Sequence, residues 1–168
     1  VFSREKFLTL ENSKDVLGYT TKFREDPIYL DPRHKDLGAR LITNLEKLHL
    51  SLKLLELKSS NLDEYYSVSN KLGIPQTNTD KLQNNLFGIE CNLNELNGID
   101  FKKGCYVGQE NTARIKLKDK LSKRLFPVEV IEGDLSKDNI IHHENTELGK
   151  VLINNKFPFA IVKFKDKN

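Results

Sequence analysis

Short segments in the last third of the chain alternate apolar and polar residues, and this period-two pattern limits the possible folds most. The segments are residues 122–131, 147–153 and 159–165, and Asn154-Asn155 supplies a turn between the last two. Strands of this kind bury one face of a sheet, and so few strands are not stable alone. The sequence therefore predicts a small β-barrel or β-sandwich domain over residues 121–168, packed on the region that precedes it.

The region before residue 121 combines helix and strand patterns. Apolar residues recur at helical spacing in two stretches, and Gly73 followed by Pro75 ends the second of them. This mixture predicts an α+β domain with an antiparallel sheet over residues 1–120. The predicted elements are mixed strand and loop over residues 1–30, a turn at 31–33, a strand over 37–42, helices over 45–57 and 62–72, and a short helix over 79–86.

Positive charge is concentrated in one window of the chain. The whole sequence has a net charge of +3, whereas residues 102–124 contain eight basic and two acidic side chains, a balance of +6. Such a window binds phosphates, polycarboxylates or nucleic acid through its field, or it is a solvated helix face. Few aromatic residues near it could stack on bases, so direct nucleic-acid binding is not expected.

Several classes of protein and site are excluded. No stretch approaches the roughly 20 apolar residues of a membrane-spanning helix, and no secretory signal is visible, so no membrane partner is expected. Cys91 and Cys105 make no disulfide scaffold and suit a reducing compartment, which predicts a cytoplasmic protein. No metal site is expected, because no C-x-x-C is present and no histidine lies at ligand spacing. His142 and His143 are interpreted as part of an exposed polar loop.

One segment carries most of the chemically functional side chains. It reads Lys-Gly-Cys-Tyr-Val-Gly-Gln-Glu over residues 103–110 and is followed by Ala113 and Arg114. Gly104 and Gly108 permit positive φ and close backbone approach, so the thiol between them can be displayed on a tight turn. A helix is predicted from about residue 109 to 118, with a strand over residues 113–118 as the alternative.

The cysteine of this segment is the candidate reactive group. Lys103 and the first amides of the predicted helix would lower the pKa of Cys105 and favour the thiolate, the form that attacks electrophiles or binds metal. The alternative is a buried cysteine that acts as a small hydrophobic residue. Cys91 has no cation close in sequence and is interpreted as such a packing residue.

The segment over residues 103–110 with Ala113-Arg114 resembles the K-G-C-Y-x-G-Q-E…A-R signature of the YgfZ family. These are folate-binding proteins related to the aminomethyltransferase, or T-protein, of the glycine cleavage system. The resemblance covers about residues 15–165. The flanking matches are Asp31-Pro32-Arg33, Leu37-Gly38-Ala39-Arg40, Gly73-Ile74-Pro75, Asn97-Gly98-Ile99, Lys123-Arg124-Leu125 and Leu148-Gly149-Lys150-Val151.

The resemblance implies a T-protein-like, folate-binding domain over residues 1–120, expected to lack its N-terminal part, followed by a C-terminal β-barrel. It implies assistance to iron–sulfur cluster assembly or repair, and thereby to radical enzymes that modify tRNA. The expected ligand is tetrahydrofolate or a derivative, and the expected partners are iron–sulfur assembly proteins or client enzymes. Cys105 matches the motif cysteine on which the role depends. The residues assigned to the folate are Lys103, Tyr106, Gln109, Glu110 and Arg114.

Two other functions compete with this one. A tetrahydrofolate-dependent aminomethyltransferase is the main alternative, although T-proteins do not carry the cysteine motif in this form. Their catalytic carboxylate also lies in an N-terminal region that has no counterpart in this chain. A basic nucleic-acid-binding module is the third hypothesis, and it depends only on the charge of residues 102–124.

Overall fold

A computed structural model describes residues 17–54, 56–118, 121–135 and 139–164. It divides into two compact units, of which the first ends at Tyr65 and the second begins at Tyr66. The predicted domain boundary between residues 120 and 121 stays a prediction, because residues 119 and 120 lie outside the described part. Residues 1–16 and residue 165 also lie outside the described part. The start of the region predicted as mixed strand and loop, and the end of the last predicted strand, therefore stay predictions.

The first unit contains a three-stranded antiparallel sheet with its strands in chain order. Arg24 and Glu25 connect the first two strands, and both have positive φ, 49° and 69°. Two successive residues of positive φ give a tight hairpin turn whose twist matches that of the strands. Ile28 and Leu30 are buried on one face of the middle strand. The strands are β1 (Thr20–Phe23), β2 (Asp26–Leu30) and β3 (Ala39–Leu41).

Two helices follow, α1 (Leu45–Leu54) and α2 (Leu62–Lys71). Both predicted helices are confirmed, each a little shorter than the pattern suggested. Asn61 Oδ1 accepts a hydrogen bond from the backbone N–H of Glu64 and so caps the start of α2. Gly73, at φ 74°, ends this helix, as predicted from its position before Pro75.

The second unit contains a four-stranded antiparallel sheet in the order β4-β7-β6-β5. Its core is formed by Leu125, Ile153 and Phe159, which are almost completely buried. The described strands form an open sheet with β4 and β5 at opposite edges, so barrel closure stays a prediction. The strands are β4 (Lys123–Pro127), β5 (Ile140–His143), β6 (Thr146–Ile153) and β7 (Phe159–Lys163).

Two local predictions are wrong. His142 and His143 are exposed as expected, but they belong to strand β5 and not to a loop. The segment over residues 140–143 reads Ile-Ile-His-His, which does not alternate, and a bulge between Ile141 and His142 shifts the register of its pairing with β6. The short helix predicted over residues 79–86 is reduced to a 3₁₀ turn over Thr79–Leu82.

Candidate functional site

The turn before helix α3 (Gln109–Lys118) holds the candidate cysteine. The backbone N–H of Tyr106 donates to Oε1 of Gln109 at 3.2 Å, and the backbone N–H of Gln109 donates to the carbonyl oxygen of Tyr106 at 3.2 Å. This reciprocal pair satisfies polar groups that a helix N-terminus leaves without partners. Gln109 therefore fixes the turn that follows Cys105, in addition to any contact with a ligand.

The two glycines of the segment differ in what they contribute. Gly108 has a φ of 85°, a conformation that is strained for a residue with a side chain. Gly104 has no positive φ, and a Cβ placed on it would meet no atom within 4 Å. The expectation of conformational freedom at both positions is therefore met only at Gly108.

An open groove of about 790 Å³ runs along the start of α3. Every residue that lines it comes from one continuous stretch of chain, and Cys105 in that lining is exposed. Lys103 is not in the lining, but its Nζ lies 4.6 Å from the centre of the Tyr106 ring. The lining residues are Cys105, Tyr106, Gly108, Gln109, Glu110, Asn111, Ala113, Arg114 and Leu117.

The predicted basic window separates into two parts in the structure. Arg124 pairs with Glu95 at 2.7 Å and Lys123 with Glu90 at 3.7 Å, so both β4 cations are neutralised. Arg114 makes no hydrogen bond or ion pair with any residue that the structure describes. The remaining basic side chains of the window that the structure describes are Lys102, Lys103, Arg114 and Lys116, and of these Arg114 lines the groove.

The second cysteine has a different environment. Cys91 is half-buried and packs against the core of Leu125, Ile153 and Phe159. Burial raises the pKa of the Cys91 thiol, and the negative charge of Glu90 raises it further. These contacts agree with the interpretation of Cys91 as a packing residue.

A polar cluster in the first unit was not identified from the sequence as a site. Asp31 is 1% exposed, and its two carboxylate oxygens accept hydrogen bonds from Arg33 Nε and Nη2 at 3.0 and 2.9 Å. Arg40 Nε donates to the same carboxylate at 2.6 Å. Both guanidiniums also donate through Nη2 to the hydroxyl of Tyr65, at 3.1 and 2.6 Å.

The contacts between Asp31 and its arginine partners keep these side chains charged. Burial by itself would raise the pKa of Asp31, but the hydrogen bonds from Arg33 and Arg40 outweigh it and hold that pKa well below its ordinary value. The same contact holds the pKa of Arg33 above its ordinary value. In the sequence, Asp31, Arg33 and Arg40 stand out only as parts of the resemblance, and no sequence signal connects them to Tyr65, which lies on α2.

Comparison with known proteins finds relatives for part of this chain, whereas no family model matches it. The chain is 34% identical over 115 residues to the mitochondrial iron–sulfur cluster assembly factor IBA57 homolog of Dictyostelium discoideum, covering 68% of this chain and 28% of the relative. It is 36% identical over 110 residues to the mouse IBA57 factor and 35% identical over 102 residues to the human one. These matches cover 66% and 61% of this chain and 30% and 28% of the relatives. The chain thus spans less than a third of their length.

Two expectations, the family resemblance and the cellular location, can be compared with the names of these relatives. The chain is similar to proteins named iron–sulfur cluster assembly factors, which agrees with the resemblance at that coarser level and does not show YgfZ itself. The prediction of a cytoplasmic protein is wrong, because the relatives are named mitochondrial. It followed from unpaired cysteines, which indicate a reducing compartment but do not distinguish the cytosol from the mitochondrial matrix. Among the described helices, none is long and apolar enough to span a membrane.

Proposed function

We propose that this chain, a homologue of mitochondrial iron–sulfur cluster assembly factors, acts in cluster assembly or repair in the mitochondrion, with Cys105 as its reactive thiol. The observation that carries the proposal is the exposed cysteine in the lining of the groove along α3. Thiolates are the usual ligands of iron–sulfur clusters, and an exposed cysteine can exchange ligands with an incoming cluster. In this role the cluster is cargo that passes through the site.

The number of ligands that the site offers limits how it can bind a cluster. An iron–sulfur cluster is normally held by four protein ligands. In the described part of the chain, no group of three or more His, Cys, Asp or Glu side chains is placed to hold a metal. Cys105 therefore supplies one ligand at most, and the others come from an assembly protein or a client enzyme. This arrangement suits transfer better than storage.

The surroundings of the groove support docking of such a partner. Val107, two residues after Cys105 in the chain, is fully exposed and Leu117 in the groove lining is mostly exposed, and large apolar side chains of this kind form the centre of protein interfaces. Arg114 in the groove lining and Lys103, whose Nζ lies 4.6 Å from the centre of the Tyr106 ring, add positive charge at the groove. A cluster with thiolate ligands is negatively charged, so these cations would attract it and its carrier.

Tetrahydrofolate, or a derivative, is proposed as a second ligand of this groove. Arg114, which has no partner among the described residues, is suited to a carboxylate of the glutamate tail. Glu110 and Asn111 can accept and donate hydrogen bonds at a pterin edge, and Leu117 offers an apolar contact. These residues fit the charged tail and a polar ring edge. When bound, the folate supplies amines that carry one-carbon units, and the aminomethyltransferase alternative stays a prediction.

Complementation tests the role of the cysteine. Cells that lack their own mitochondrial assembly factor would express the full-length protein, its Cys105→Ser variant or its Cys91→Ser variant. The activity of [4Fe–4S] enzymes is the readout. The wild type and Cys91→Ser should restore activity, whereas Cys105→Ser should not. Full restoration by Cys105→Ser would remove the thiol from the mechanism.

Folate binding is tested separately by titrating the same protein with tetrahydrofolate in a calorimeter. Arg114→Ala should weaken binding by about tenfold, since a charge-assisted hydrogen bond to a carboxylate is lost. Arg24→Ala, which changes an arginine on the β1–β2 turn, is the matched control and should leave affinity unchanged. Affinity that is the same in the Arg114→Ala and Arg24→Ala variants would contradict this assignment.

A further inference from the structure

We propose that Arg33 and Arg40 form a binding site for a carboxylate, with Asp31 and Tyr65 holding the two guanidiniums in place. Both guanidiniums reach solvent, since the Arg33 side chain is 28% exposed and that of Arg40 is 42% exposed. Both are fixed from the protein side by one buried carboxylate and one phenol hydroxyl. The proposal does not depend on the function assigned to Cys105.

Both guanidiniums keep N–H donors that no described residue uses. Arg33 and Arg40 each use Nε and Nη2 on Asp31 and Tyr65. Neither Nη1 donates to a residue that the structure describes, which leaves two N–H groups on each. In the described chain, the one buried side-chain polar atom without a partner is Arg124 Nε, so Nη1 of Arg33 is not sealed inside the protein. The available donors therefore face an accessible surface.

Charge in the cluster is not balanced. One carboxylate faces two guanidiniums, which leaves a formal charge of +1. The other acidic groups around the sheet have different partners. Asp26 contacts Thr43 and Lys47, and Asp36 lies 3.8 Å from His34. The excess charge therefore has no counter-ion among the described side chains of this sheet.

A purely structural role explains Arg33 but does not explain Arg40. Arg33 alone satisfies both oxygens of Asp31 in a forked pair, and its backbone N–H adds a further bond to Oδ1. Arg40 places another positive charge beside Arg33, and two like charges at short range repel each other. An anion bound between the two guanidiniums would offset this repulsion.

A carboxylate fits this arrangement better than a spherical anion. Its two oxygens lie in one plane and match paired N–H donors of a planar guanidinium. Positions fixed before binding reduce the entropy that the side chains lose when the ligand binds. The carboxylate could belong to a small molecule or to an acidic peptide, and the two sources share the same chemistry.

The test is a titration followed by NMR signals of the arginine side-chain N–H groups, at constant ionic strength. The full chain would be titrated with glutarate, with a tri-glutamate peptide and with inorganic phosphate. Saturable shifts of the Arg33 and Arg40 signals with glutarate or the peptide are expected, and the tighter of the two identifies the source. The absence of a saturable shift with both carboxylates, or tighter binding of phosphate, would overturn the proposal.

Variants distinguish paired hydrogen bonding by the guanidinium groups from attraction by positive charge alone. Arg40→Lys keeps the charge but loses the forked donors, and it should weaken carboxylate binding by at least about fivefold. Arg24→Lys is the control on the same sheet and should have no effect. If Arg40→Lys does not fold, Tyr65→Phe takes its place, since it keeps both cations and removes the shared acceptor. Carboxylate affinity that is unchanged in a folded Arg40→Lys or Tyr65→Phe variant would contradict the proposal.

Discussion

The two cysteines should differ in reactivity, because their exposure and their electrostatic surroundings differ. Cys105 is exposed on the turn before α3, whereas Cys91 is half-buried with a raised thiol pKa. Only the thiolate reacts with iodoacetamide, so both burial and a raised pKa slow the reaction. We expect Cys105 to be alkylated at least about tenfold faster than Cys91 at pH 7.5. Peptide mass spectrometry at short reaction times measures both rates.

Alkylation in urea is the control for this prediction. Unfolding removes the burial of Cys91 and the turn around Cys105, so the two rates should approach each other. If Cys91 reacts first in the folded protein, Cys105 cannot be assigned as the accessible thiol.

Sequence reasoning at the level of single residues was reliable where the relevant neighbours are adjacent in the chain. Gly108 and a helix start beside Cys105 predicted an exposed turn, and the structure has one, although Gly104 has no positive φ. The Asp31 cluster was missed for the opposite reason. Its hydroxyl acceptor, Tyr65, lies 32 residues after Arg33, and only the folding of the first unit brings the two side chains together.

Among the strands, β6 and β7 approach each other closely at one residue. A Cβ on Gly149 would overlap the carbonyl oxygen of Ile161 and would lie 3.0 Å from Cα of Val162. Backbone atoms cannot move aside as a flexible side chain does, so the strands would have to separate. We expect Gly149→Ala to lower the free energy of unfolding by about 3 kcal/mol or more, measured by urea denaturation.

Gly104→Ala is the matched control for this substitution. Its Cβ would meet no atom within 4 Å, and its backbone has no positive φ. Its free energy of unfolding should therefore stay within about 0.5 kcal/mol of the wild type. A Gly149→Ala protein as stable as Gly104→Ala would show that the β6–β7 contact is looser than the structure has it.

Helix α3 depends on the cap that Gln109 provides. Replacing Gln109 with Ala removes the side-chain acceptor of the Tyr106 N–H and should cost about 1 kcal/mol. Because this helix also carries Arg114, fraying of its first turn should weaken ligand binding in the groove. Circular dichroism during urea unfolding measures the first effect. Gln109→Glu retains an acceptor and should behave like the wild type, and equal losses in the two variants would contradict the capping role.

Elements were predicted well where a residue pattern marks their ends. The predicted start of α3 agrees with the structure because Gly108 directly precedes the helix, and the helix extends to Lys118 as predicted. The β1–β2 hairpin was not predicted, because its turn is Arg24-Glu25 and lacks the Gly or Asn that usually adopts positive φ. Turns of this kind are fixed by the pairing of the strands and leave no local signal.

At the scale of the whole molecule, the two units should respond differently to acid. The buried Asp31 carboxylate has its pKa held well below its ordinary value by two arginines in the first unit. A group whose pKa is lower in the folded state contributes stability above its unfolded pKa, and this stability is lost as pH falls toward the folded value. In the second unit the pKa of Glu147 is also lowered, but its side chain is 50% exposed and its pair with Lys163 is screened by solvent.

We therefore expect NMR signals of folded β1–β3 to weaken before those of β4–β7 as pH is lowered from 5 toward 2. Asp31→Asn removes the titrating group, so this variant should lose about 3 kcal/mol at pH 7 and show little further change in acid. Glu147→Gln is the control in the second unit, and it should leave the order of acid unfolding unchanged. Simultaneous loss of both sheets in the wild type, or an unchanged acid response in Asp31→Asn, would show that Asp31 does not set the acid limit of its unit. The first outcome would also mean that the two units unfold as one.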